Sequence, residues 1–541
     1  MILIHHYNPR YFEGLLSSGI MKEGDGLKIN KNWATPDEYC FNRIAAKDGA
    51  LYCAVRDLAS CFYIDRLQGG TFYSYYPYNM ELAAEYDRIT DGNFLGWQLH
   101  ESGHTRALDW KRIQAQLNVH GLDWTLENII WAVRLVSHNK TYPHFSNGAP
   151  HEYAALTPPE TMSEYTADLL GMWKNRQERY GGRIINCDAG RMPIRLEAEA
   201  DVNLSFIEIG AQTPNARIMY ALRRGISRAR GKKWGVYYEP WTAEGTAYCF
   251  MRDKSNEWFL DIDRHLCKAS PEGGSSMSLA RRVMAYSLFA GADYFSEEWG
   301  MANTFYEWDT FELTPYGKIK QDFQNFSRNF AHVKPTVPAA MVLPREFAMV
   351  CVHGELHYPD DMTAPEHRDA IARIQAYFDN GVRMGNEDKV FTTGANASLF
   401  DIIFDDSYAE PSKEYGLLID FSGRLHGKNV VNGYDREAAD AAISRMMDGL
   451  PFTLEDGGAG LDFQLFSANG KSYVAVYNHR GVSKTIADGE TQNPDAAVRF
   501  TLHMKDDALP EVIDYCGIGW EAAEHTVCVT LGGGEFILCA I

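Results

Sequence analysis

The chain has 541 residues, 45% of them hydrophobic and 23% charged, which is too much for one hydrophobic core and sets an expectation of two to four domains. A formal net charge of -20 argues against nucleic acid or an anionic membrane as partner, since both need basic patches. No run approaches the roughly 18 apolar residues of a membrane span.

In chain order, short apolar runs alternate with longer helical patterns up to about residue 330. The strand-like runs are ILIHHY (2–7), LYCAV (51–55), TFYSYY (71–76), FLGWQL (94–99), RIINCDAG (183–190), LSFIEIG (204–210), WGVYYEPW (234–241) and GADYFSEEWG (291–300). Between them lie helical stretches such as MELAAEYDRI, TADLLGMWKNRQERY and SLARRVMAYSLFA. Eight alternating units predict a (β/α)8 TIM barrel over residues 1–333. Prolines in HVKPTVPAAMVLP mark a change, and residues 334–453 read as a small α/β domain. From 454 to 541 the helical period gives way to alternating segments such as DFQLFSA and SYVAVYNHR, the pattern of a β-sandwich.

The ten cysteines form no CxxC pair, which suits free thiols in a reducing compartment. The start of the chain shows no basic leader, so the expectation is a cytoplasmic protein; a secreted one with its signal peptide removed would read the same way. Aromatics make up 13% of the chain and would suit a sugar-stacking cleft as well as large cores.

A barrel of this kind carries its active site where the strands end. Those ends hold Arg56 and Asp57, His100 and Glu101, Asp188, Glu208, Glu239, and Glu297 and Glu298. Cleaving a glycosidic bond needs two carboxyl groups: one protonates the leaving oxygen and the other attacks carbon or activates water. By strand count Glu101 follows strand four and Glu239 follows strand seven, on opposite sides of the mouth. Should the count slip by one, Glu298 replaces Glu239. Tyr237, Tyr238, Trp97 and Trp241 are candidate stacking walls, although neighbouring strand residues must face opposite ways.

With GWQLHE and WGVYYEP in these places, the layout resembles glycoside hydrolase clan A, and its domain order resembles the family 42-like β-galactosidases. The resemblance implies Glu101 as general acid/base and Glu239 as nucleophile of a retaining, exo-acting glycosidase. It implies Arg56 of AVRD as the arginine that keeps the nucleophile ionised, and Trp299 of EEWG as an aromatic platform. His100 stands where the clan has an asparagine on the sugar 2-hydroxyl. Asp188, Glu208, Tyr238 and Glu298 complete the expected substrate-binding set, around a carbohydrate, with no metal, no cofactor, no nucleic acid and no membrane. The later domains would narrow the cleft or serve a homo-oligomer.

Two rivals come from other classes. His100-Glu101-Ser102-Gly103-His104 spells HExxH, the zinc-peptidase signature, which works only on a helix. A glycan-binding barrel without catalysis would keep its affinity after loss of either glutamate.

Overall fold

The computed structural model describes residues 1–30, 45–68, 79–136, 158–211, 213, 216–240, 248–249, 268–269, 274–298, 300–347, 350–351, 362–378, 390–391, 396–484, 489–506 and 510–541. Eight strands close a barrel in chain order: β1 (Ile2–His6), β2 (Gly26–Asn30), β3 (Cys61–Gln68), β4 (Phe94–His100), β5 (Ile184–Asp188), β6 (Leu204–Gly210), β7 (Lys233–Glu239) and β8 (Tyr294–Glu297). Every neighbouring pair is parallel, including the closing pair of β1 with β8. Ile4, Tyr63, Leu95, Cys187, Phe206 and Tyr237 fill the inside. Helices cover the outside, among them α1 (Pro9–Ser17), α2 (Ala50–Asp57), α3 (Met80–Ile89), α4 (Ser102–His120), α5 (Leu126–Val136), α6 (Met162–Arg179), α7 (Ala216–Arg230), α8 (Met277–Phe289) and α9 (Pro315–Ser327).

Two barrel strands differ from the sequence expectation. LYCAV is no strand but the body of α2, where Leu51, Tyr52, Ala54 and Val55 are buried at helical spacing. The run TFYSYY lies outside the described residues. Strands two and three are instead GLKIN and CFYIDRLQ, whose Lys28 and Asp65 break the apolar pattern because they point into the upper barrel.

Strand β4 carries a bulge. Phe62 pairs with Phe94 and Tyr63 with Gly96, so β4 holds one extra residue. Gly96 has φ +136°, and a Cβ there would stand 2.1 Å from the Arg183 carbonyl oxygen, so only glycine fits. The bulge reverses the facing of the strand. Leu95 points into the barrel, while Trp97 and Leu99 pack outward against the helices. His100 is thereby turned inward.

After the barrel, the chain forms one edge of the sandwich before entering the α/β region: Lys334–Pro335 pairs with Asp462–Ala468. A parallel sheet follows in the order Phe400–Phe404, Ala339–Leu343, Leu417–Asp420, Val430–Asn432, with helices Pro365–Phe378 and Arg436–Asp448. The sandwich pairs a five-stranded sheet with a four-stranded one, and its strands run antiparallel.

One hydrophobic cluster runs through all three parts, from Ile207 and Phe289 to Phe404 and Phe536. Within it lies a buried polar junction. Arg217 of α7 pairs with Asp462 of the sandwich at 3.1 Å, and Ser398 donates to the same carboxylate at 2.8 Å. His479 donates its Nε2 hydrogen to Asp462 at 3.1 Å and accepts from Arg282 of α8 at 3.2 Å, which requires the neutral ring. A second junction holds Asp401 between Arg224 at 2.6 Å and Arg228 at 2.7 Å. The six cysteines with described side chains are free thiols, and among the described residues no helix is long and apolar enough to cross a membrane.

Candidate active site

The upper end of the barrel interior is lined by ionisable groups. His6 of β1, Lys28 of β2, Asp65 of β3, His100 of β4, Glu208 of β6 and Glu239 of β7 are all buried, as is Glu298 just beyond β8. Alternation along the strands explains who enters. Ile207 and Ile209 pack outward, so Glu208 points in; Tyr238 packs outward, so Tyr237 and Glu239 point in.

Three carboxylates converge. One oxygen from each of Glu208, Glu239 and Glu298 lies within 4.8 Å of the other two. Register brings this about: Gly210 stands beside Glu239, and the Glu298 N–H donates to the Tyr238 carbonyl at 2.7 Å. Gly210 also makes room, because a Cβ there would meet the Glu239 Cγ at 2.1 Å. Thr213 donates to Glu239 Oε1 at 3.0 Å. His100 Nε2 lies 3.4 Å from Glu208 Oε1, and its ring meets Tyr237 edge-on. The His100, Cys187 and Glu208 ligand atoms also lie within 4.8 Å of one another. Both trios therefore offer donors that a cation could use.

In the same lumen, Lys28 Nζ donates to the Tyr237 hydroxyl at 3.1 Å and to the Glu297 carbonyl, and sits 3.5 Å from Asp65. Tyr237 in turn donates to Asp65 at 3.2 Å. Lys28 thus ties β2 to the end of β8, next to Glu298. Lys28 and Asp65 were missed from sequence because their strands were misplaced. The signal was present in Asp65, which follows Cys61 and Tyr63 at period two.

Glu101 follows β4 with φ 47° and ψ 40°, in the left-handed region. A side chain there costs about 1 kcal/mol or more and is often tolerated at functional positions. Glu101 heads α4, which begins at Ser102, so His100 ends a strand while His104 lies on the helix. The two histidines of HExxH do not share a helix, as the zinc-peptidase signature requires.

Several expected site residues lie elsewhere. Arg56 sits on α2, half-exposed and paired with Asp57 at 2.6 Å, because its segment is helical and turns it to solvent. Tyr238 faces the helices, where its hydroxyl meets Ser275 and its ring stacks on Tyr316. Trp97 packs outward too. Asp188 also turns away from the lumen: Ile185 and Cys187 occupy the interior, and Asp188 accepts from Asn186 at 2.6 Å and from the Gly103 N–H at 3.2 Å. Burial pushes its carboxyl well above the usual range; Glu197 and Glu101 add to this, while the Asn186 and Gly103 hydrogen bonds oppose it. Trp299 and Trp241 lie outside the described residues. Because the eight strands close in chain order, Glu239 ends β7 and no slip of the count promotes Glu298.

No family model matches the chain, and no curated protein does. Among solved structures it is similar to an α-L-fucosidase isoenzyme 2 from Paenibacillus thiaminolyticus, at 8% identity and a TM-score of 0.39, covering 96% of this chain and 87% of that one. It is similar to a β-galactosidase from Halorubrum lacusprofundi, at 10% identity and a TM-score of 0.42, covering 100% and 99%. A rhamnosidase from Novosphingobium sp. PP1Y aligns at 9% identity and a TM-score of 0.36, over 87% of this chain and 48% of that one. Likenesses this weak decide neither fold nor chemistry. Both rest on the geometry above.

Proposed function

We propose that the chain is a glycoside hydrolase whose general acid/base is Glu101 and whose nucleophile is Glu239. The observation that carries this reading is the convergence of Glu208, Glu239 and Glu298, all buried, at the strand ends of a closed parallel barrel. Buried acids gathered this closely at a barrel mouth are costly to the fold and mark a candidate site. Glu101 stands at the end of β4, with β5 and β6 between it and Glu239. Glycosidic cleavage asks for this division of labour: a carboxylate to attack and a carboxylic acid to protonate.

In the reaction, Glu101 gives its proton to the leaving oxygen as the Glu239 carboxylate attacks the anomeric carbon. Water, deprotonated by Glu101, then frees the sugar with retained configuration. Glu239 is steadied by the Thr213 hydroxyl, a role the sequence reading gave to Arg56. In this reading His100 and Glu298 hold sugar hydroxyls, and the enzyme is exo-acting on a glycoside or oligosaccharide. The chain works inside the cell in this reading, as a monomer or a homo-oligomer.

The test is hydrolysis of a panel of aryl glycosides, with the product anomer followed by NMR. Glu101→Gln and Glu239→Gln are each expected to lower kcat by about 10² to 10⁴-fold. Retained activity in both variants would overturn the assignment, and an inverted product would overturn the retaining mechanism. The same cluster could instead hold a divalent cation, and in that case chelation would abolish activity.

A further inference from the structure

The first three residues after β4 are each held by one of three successive residues of β5. The Glu101 N–H donates to the Cys187 carbonyl at 2.6 Å, Ser102 Oγ donates to Asn186 Oδ1 at 3.1 Å, and the Gly103 N–H donates to Asp188 Oδ1 at 3.2 Å. Trp173 of α6 donates to the same Ser102 hydroxyl at 3.2 Å, and Tyr165 donates to the Gly103 carbonyl.

The β5 side of this contact is itself braced. Both hydrogens of Asn186 Nδ2 are used, one to Asp188 Oδ2 at 2.6 Å and one to Glu197 Oε1 at 2.7 Å. Arg223 of α7 grips both oxygens of Glu197. Asn186 has no exposed surface and Asp188 is 1% exposed.

The local need is plain from Glu101. Its backbone is left-handed, and its side chain does not cap α4, although residues at that position commonly do. Asp188 supplies the missing acceptor from a neighbouring strand. Asparagine or serine could cap a helix at far lower cost than a buried acid with Glu197 and Glu101 nearby.

We propose that Asp188, with Asn186 as its bridge, is a positioning residue that fixes the left-handed backbone of Glu101 and so directs the Glu101 carboxyl. This rests on Glu101 being the acid/base. Neither Asp188 nor Asn186 touches substrate, since both face the helices and not the lumen.

The experiment compares Asp188→Ala and Asp188→Asn in the full chain, with Glu101→Gln alongside. Two readings are taken: kcat and KM across pH on an aryl glycoside, and backbone hydrogen exchange over residues 99–104, which needs no substrate. Asp188→Ala is expected to lower kcat about tenfold or more with KM within about twofold. It should also move the limb of the pH profile that Glu101 sets, and speed exchange at Ser102 and Gly103. Asp188→Asn keeps one acceptor oxygen and should restore most of kcat.

Unchanged exchange in Asp188→Ala would overturn the clamp. Faster exchange with a wild-type kcat and pH profile would overturn the positioning role. A fully active Glu101→Gln variant would instead sink the assignment of Glu101 itself, so the two failures read differently.

Discussion

Where the barrel meets the later sheets, Asp462 is buried against Arg217 at 3.1 Å, with Ser398 and His479 also in hydrogen-bond reach. At the mouth, Glu208, Glu239 and Glu298 are equally buried, yet these three acidic side chains bring oxygens within 4.8 Å of one another. The junction sets the Asp462 carboxylate against the Arg217 guanidinium, as a structural contact should. The mouth sets three buried acids side by side, an arrangement that is costly to the fold and therefore points to use. The two regions should respond to the same kind of substitution with opposite signs.

The largest effect is expected at the junction. Asp462→Ala leaves the Arg217 guanidinium buried without its carboxylate and should cost about 3–5 kcal/mol in urea unfolding. A loss below about 1 kcal/mol would erase the contrast.

Next comes acid. Burial pushes the His479 ring down to about 4, with Arg282 and Arg217 helping and Asp462 opposing. A histidine with its folded value below the free value of about 6.5 stabilises fully above that pH and loses the contribution as pH falls toward 4. Stability should therefore drop by at most about 3 kcal/mol over that window. His479→Gln should flatten it; burial would raise Asp462, but Arg217 and His479 hold it lower, so its own loss comes at more acid pH.

Smaller still is Gly210→Ala. The atoms nearest to the added methyl all belong to the Glu239 side chain, which would have to move, so melting should shift by a few degrees at most while kcat falls about tenfold or more. Unchanged kcat would mean that the exact seat of Glu239 is unimportant.

The smallest stability effect is expected from Glu298→Gln. Removing one of three neighbouring buried acids should leave the melting temperature level or raise it, even as activity falls. Clear destabilisation would show that Glu298 is structural, like Asp462.

The sequence was most legible where strands were apolar and long. Runs at 94–99, 204–210 and 234–241 carried β4, β6 and β7, and through them His100, Glu208 and Glu239. It was least legible where function intrudes on the pattern. Lys28 and Asp65 sit in strands that the sequence reading did not name, and the apolar face of α2 passed for a strand. Arg56 was misplaced for that reason alone. Asp188 was found at the right strand end, but which way a side chain turns depends on the residues across from it. Tyr238 failed on the same point. The convergence of three glutamates from separate strands could not be read at all, since register is set by tertiary pairing.

The bulge at Gly96 has a bearing on how this barrel tolerates insertion and deletion. Facing along a strand has a period of two, so the one extra residue in β4 decides whether odd or even positions look inward. Straightening the strand with all its residues kept, so that no position is extra, would keep every side chain of the mouth in the sequence, yet would aim Leu99 into the lumen and His100 at the helices. Strand four works as a reading frame, and a shift of one position would silence the site as surely as a frameshift silences a gene.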